Sequence, residues 1–132
     1  MEFKDLLGMT LTEVAVAAPH SDEITFKTAC GRQFRMYHSQ QCCEYVTVED
    51  ICGDIEDLIG NRILLAEEAS NRERIDGYKP NHKTESWQWT FYKLATKRGY
   101  VTIRWLGTSN GYYSERVDFD EIFEVKKYED LE

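Results

Sequence analysis

At 132 residues with a formal net charge of -8, the chain has the length of one domain, residues 1–132, and enough residues to close a core without disulfide or metal staples. No apolar run approaches the roughly 20 residues that cross a bilayer, and Met1-Glu-Phe-Lys-Asp5 lacks the basic and then apolar layout of a secretory signal, so a cytoplasmic protein with no membrane contact is expected. Residues 1–70 carry 13 acidic and five basic side chains, whereas residues 71–132 carry 11 of each; this localised acid disfavours direct nucleic-acid binding and suits a basic protein partner.

Phe3, Leu6 and Leu7 ahead of Gly8 predict one short helical turn. Leu11–Ala17 and Asp22–Ala29 read as strands joined through a turn at Ala18-Pro-His-Ser21. A tight turn at Cys30-Gly-Arg32 leads into a strand over Gln33–His38, with Phe34 and Met36 on one face and Arg35 and Tyr37 on the other. After the polar Ser39-Gln-Gln41 break, Glu44–Val48 resumes the extended pattern and completes a four-strand meander. The period then changes. Ile51, Ile55, Leu58 and Ile59 fall at helical spacing, Asp50 is placed to cap and Gly60 to stop, which predicts an amphipathic helix over 51–59 with Asp54, Glu56 and Asp57 toward solvent. Arg62–Ala66 reads as another strand, and residues 69–86, poor in apolar content, as a long connection.

The strongest local signal is Trp87–Gly107. Two runs of aromatic and β-branched residues flank a Lys97-Arg98-Gly99 turn and specify a β-hairpin. Period-2 alternation puts Trp87, Trp89, Phe91 and Lys93 on one face, to be matched by Val101, Ile103 and Trp105 from the partner strand. Asn110-Gly111 turns the chain again, a further strand passes through Tyr112, Tyr113 and Val117, and Phe119, Ile122, Phe123 and Val125 form a helical turn or a terminal strand. The predicted class is α+β: a predominantly antiparallel sheet of seven or eight strands with the one short helix, 51–59, packed on it.

Candidate chemistry is sparse, and no catalytic residue and no cofactor are assigned. His38, Cys42 and Cys43 offer imidazole and thiolate, the ligands zinc prefers, but without the two-residue gap that lets paired thiolates converge; reduced thiols are expected in the cytoplasm. The acidic residues Glu49, Asp54, Glu56 and Asp57, extended by Glu67 and Glu68, lack the alternating pattern of a calcium loop and read instead as an anionic partner-binding surface able to compete for a basic groove. A second set, Arg35, Tyr37, Tyr92, Arg104, Tyr112, Tyr113 and Arg116, combines stacking rings with bidentate cations, the chemistry that holds nucleotides.

The strings Met36-Tyr-His-Ser-Gln-Gln-Cys-Cys-Glu44, Val48–Gly60, Ile63-Leu-Leu-Ala-Glu-Glu68, Trp89-Thr-Phe-Tyr-Lys93 and Gly111-Tyr-Tyr-Ser114 together resemble a family of small proteins common in bacteriophage and prophage genomes. That resemblance supplies no catalytic residues. It implies a setting: an accessory protein in the host cytoplasm that counters a host defence such as a CRISPR nuclease, for which the acidic N-terminal half and the aromatic hairpin are the candidate protein-binding surfaces. The alternatives are a sponge for a nucleotide signal, enclosing its ligand as a homodimer, and a Cys/His metal-binding protein.

Overall fold

Strands make up more than half of the chain that the computed structural model describes, residues 2–16, 22–72 and 86–123. A 3-10 turn over Phe3–Leu6 precedes β1 (Leu11–Val16), β2 (Glu23–Thr28), β3 (Gln33–Tyr37) and β4 (Tyr45–Cys52); a second 3-10 turn, Ile55–Leu58, precedes β5 (Leu65–Asn71), β6 (Ser86–Thr96), β7 (Gly99–Ser109) and β8 (Asp118–Ile122). The eight strands form two antiparallel four-stranded sheets, in the orders β1-β2-β3-β8 and β4-β7-β6-β5. Among the described residues no helix is long and apolar enough to cross a membrane.

The inner faces of the two sheets meet in one core. Ile24, Phe26, Phe34, Met36 and Phe119 come from the first sheet, and Val46, Val48, Tyr92, Leu94, Val101, Ile103 and Trp105 from the second. Trp105 spans the layers, its Nε1 donating to Met36 Sδ at 2.9 Å. Phe3 plugs the open side, with its ring centroid 4.7 Å from Tyr92 and 5.5 Å from Phe119, both edge-on; such contacts add to the burial that dominates folding.

Several expectations change. The helix over 51–59 is absent: Ile51 and Cys52 end β4, paired with Ile103 and Thr102, and only Ile55–Leu58 turns, capped by Asp54 Oδ1 accepting from Glu56 N at 3.0 Å. Gly53 separates the two pieces at φ +105°, with the Tyr100 carbonyl oxygen 2.3 Å from where a Cβ would stand; that backbone crossing leaves no path for a continuous helix. Predominantly antiparallel β therefore holds, while the α component reduces to 3-10 turns.

The hairpin's faces are also exchanged. The two-residue turn at Lys97-Arg98 pairs Thr96 with Gly99, so Thr90, Tyr92 and Leu94 oppose Trp105, Ile103 and Val101 across the core. Trp87, Phe91 and Lys93 take the outer face, opposite Thr108, Arg104 and Thr102, because a shift of one residue in register sends every side chain to the other side. Finally, β4 leaves the expected meander for the second sheet, and Tyr112, Tyr113 and Val117 lie in the β7–β8 connection rather than in a strand. Of the predicted 69–86 connection, residues 69–71 belong to β5, and 73–85 lie outside the described residues.

Candidate functional site

The chain crosses from one sheet to the other through residues 38–44, and two side chains hold this crossing. His38 follows β3 directly and Glu44 precedes β4. Their side chains are 4% and 0% exposed, with Nε2 2.8 Å from Glu44 Oε2. Glu44 also accepts from the amides of Gln41 (3.0 Å) and Cys42 (2.9 Å) and from Gln40 Nε2 (3.2 Å). His38 Nδ1 meets the Arg116 carbonyl at 2.6 Å, which ties this crossing to the β7–β8 connection. Burial by itself would raise the Glu44 carboxyl, but the His38 bond and the amides of Cys42 and Gln41 outweigh it and bring it down to about 2. With both ring nitrogens engaged and no solvent access, the pair acts as a clamp. Cys42 and Cys43, expected as reduced thiols, are bonded to each other, in the turn that Glu44 pins at the Cys42 amide.

A second buried carboxylate lies in the β7–β8 connection. Glu115, 4% exposed at its side chain, accepts at Oε1 from Ser86 Oγ (2.8 Å) and Arg72 Nη1 (3.3 Å), while Oε2 has no hydrogen-bond partner. It crosses the inner side of β7 over Gly107, where an added Cβ would stand 2.7 Å from both the Glu115 Cβ and its carbonyl oxygen. Only glycine admits that approach.

Between β5 and the start of β8 lies a cleft of about 960 Å³, bordered by Glu2, Glu67, Glu68, Lys93, Arg116 and Asp118. Beneath it, the Tyr92 hydroxyl is buried against the Glu68 carboxylate. Burial first, and then the nearby Glu68 carboxylate, push this phenol far above its ordinary value, so it stays neutral.

The six acidic residues singled out in the sequence separate. Glu49 is consumed by Arg104, whose Nε donates to Glu49 Oε2 at 2.6 Å and whose Nη2 makes a closer contact with the same oxygen. Asp54 caps its turn, and Asp57 lies 3.7 Å from Arg98 Nε. Glu56 is exposed on the turn, and Glu67 and Glu68 are exposed at successive positions of β5, on opposite faces of the strand.

The seven residues of the stacking set do not converge. Arg35 lies 3.8 Å over the Tyr37 ring on the outer face of the first sheet, where Tyr37 donates to Asp120 at 2.5 Å. Arg104 is on the outer face of the second sheet and Tyr92 is in the core. Tyr112 and Tyr113 pack edge to face in the β7–β8 connection at 5.0 Å, and Arg116 Nε is 3.5 Å from Asp118. Among the described residues no group of three or more His, Cys, Asp or Glu side chains is placed to hold a metal ion. Sequence reasoning missed the Glu115 cluster altogether: Arg72, Ser86 and Glu115 span 43 positions, and no local pattern links them.

Residues 4–119 match the family model of a domain of unknown function, DUF7448. No curated protein and no solved structure matches the chain.

Proposed function

The chain belongs to the DUF7448 family, a domain of unknown function, and from that premise we propose that it is a non-enzymatic, phage-encoded inhibitor that docks an acidic surface onto the basic groove of a host defence protein such as a CRISPR nuclease. One observation carries the reading: Glu67 and Glu68 stand exposed on an edge strand, while Glu2 and Asp118 along the neighbouring cleft are engaged by Lys4 and Arg116. Successive residues of a strand leave opposite faces, so Glu67 and Glu68 put one carboxylate on each side of the edge, and fixed complementary charge steers association and selects partners. The closed state of the His38–Glu44 pair supports a structural role for the one imidazole–carboxylate couple in the described chain. The resemblance of residues 36–44 and 48–60 to phage and prophage proteins supports the setting.

The test is a plaque assay in bacteria carrying an active CRISPR nuclease. Expression of the protein is expected to restore phage titre, and the triple reversal Glu56→Lys, Glu67→Lys, Glu68→Lys to reduce that rescue at least tenfold with an unchanged melting temperature, since close interfacial charge pairs couple by about 1.5–7 kcal/mol. Rescue by the reversed variant equal to wild type would refute the acidic surface; no rescue against any defence nuclease tried would refute the inhibitor.

A further inference from the structure

Four strands border the sandwich, and they are not equally protected. The register of β1 slips between Leu11 and Glu13, and that of β4 between Val48 and Asp50. β1 is further engaged at its start by bridges from Thr10 to Arg62 and from Leu11 to Ile59, and β8 is only five residues long. β5 differs from all three. It keeps unbroken register with β6 over seven pairs, from Leu65 opposite Ala95 to Asn71 opposite Trp89, and its last five residues, Glu67 to Asn71, are all exposed.

Free edges template pairing with another chain, and natural sheets blunt them with bulges, short strands or charges. β5 has neither a bulge nor short length; the 3-10 turn Phe3–Leu6 packs against it, and among the described residues its remaining protection is Glu67 and Glu68, charges of a single sign at its centre that leave opposite faces of the strand. That choice is selective. An antiparallel pair of two β5 strands centred on Glu68 would set this residue against its own copy, which like-charge repulsion disfavours. A strand carrying Lys or Arg at the matching positions meets attraction instead.

The ground beneath the edge adds a second reason. Glu68 pairs in register with Tyr92, so both side chains leave the same face of the sheet, and the Glu68 carboxylate stands against the buried Tyr92 hydroxyl. A cationic side chain entering beside Glu68 neutralises the carboxylate where it stands against the buried phenol. Ala66, Ala69 and Ser70, the small residues around Glu67 and Glu68, leave room for a long side chain to lie along the cleft.

We infer that β5 is a docking edge that takes an extended, lysine- or arginine-bearing segment of the partner as a fifth strand of the β4-β7-β6-β5 sheet. The inference rests on the acidic docking proposed above and adds its geometry: main-chain bonds supply affinity and alternate side chains supply selectivity.

The probe is a ten-residue peptide alternating lysine and valine, titrated calorimetrically into the full chain alongside the same peptide N-methylated at alternate residues, with Glu67→Gln/Glu68→Gln protein as the second arm. Strand addition requires that the plain peptide bind, that N-methylation weaken it at least tenfold, that the double variant weaken it at least tenfold, and that alternate backbone amides of residues 65–71 gain hydrogen-exchange protection. Equal affinity for the plain and N-methylated peptides would overturn strand addition and leave charge-only docking standing. Binding unaffected by the double variant would remove the acidic surface as well. No binding of the plain peptide overturns the inference, as does a wild-type dimer in sedimentation with β5 protected in the absence of peptide, since a second copy would then hold the edge.

Discussion

Replacing Trp105 with alanine is expected to cost the domain about 4 kcal/mol, within the range for emptying a buried tryptophan site, and to lower its melting temperature by about 15 °C for a chain of this length. Trp105 is the largest fully buried side chain and the one that bridges the sheets through Met36, so its removal opens a cavity that both layers line. Trp87→Ala and Phe91→Ala provide the contrast. Both residues are half-buried on the outer face of β6, and each is expected to cost less than half as much. Urea midpoints of the three variants decide the hairpin's register: equal losses at 87, 91 and 105 would place these aromatics on one face and refute the two-residue turn.

The second large effect is expected at Glu44. Glu44→Ala leaves His38 facing an emptied position and the Gln41 and Cys42 amides without their acceptor, and losing one partner of a buried pair costs about 3 kcal/mol or more. The pH dependence has a defined sign. In the unfolded chain this carboxyl has its ordinary value of 4.5, and in the folded chain about 2. The unfolded state therefore takes up the proton first, and the stabilisation is fully present above 4.5 and lost as pH falls from there toward 2. Glu44→Gln is expected to flatten the stability profile across that window. Thermal melts of wild type and variant from pH 7 to pH 2 check it; parallel profiles would assign the acid sensitivity to other carboxylates.

Much of the backbone was legible because its signals are local. Period-2 alternation and turn residues placed β1, β2 and β3 within a residue or two of their ends, and Lys97-Arg98-Gly99 marked the hairpin turn between β6 and β7. The faces of β6 were not legible. Trp87, Trp89 and Phe91 form the most apolar row on the strand, yet turn length sets the parity of pairing and gives the core to Thr90, Tyr92 and Leu94. The false helix over 51–59 has a similar origin: four apolar residues match period 3.6 as well as they match a strand end followed by a 3-10 turn, and only the Tyr100 backbone pressed against Gly53 separates the two.

The acidic set shows the same division. Composition alone located the excess negative charge in the first 70 residues, and that is a property of residue types that no fold alters. Which carboxylates remain available is a matter of what folding brings beside them. Arg104, 55 positions away, neutralises Glu49; His38 and the amides of residues 41 and 42 enclose Glu44; and β5, which among the described strands pairs with β6 alone, leaves Glu67 and Glu68 exposed. The sequence by itself determined strand content, the position of the central hairpin and the sign of the surface, because alternation, turn chemistry and charge act over a few residues. The tertiary structure alone decided which face is core and which carboxylates are spent, because pairing parity and ion pairing depend on residues that are distant in the chain and adjacent in space.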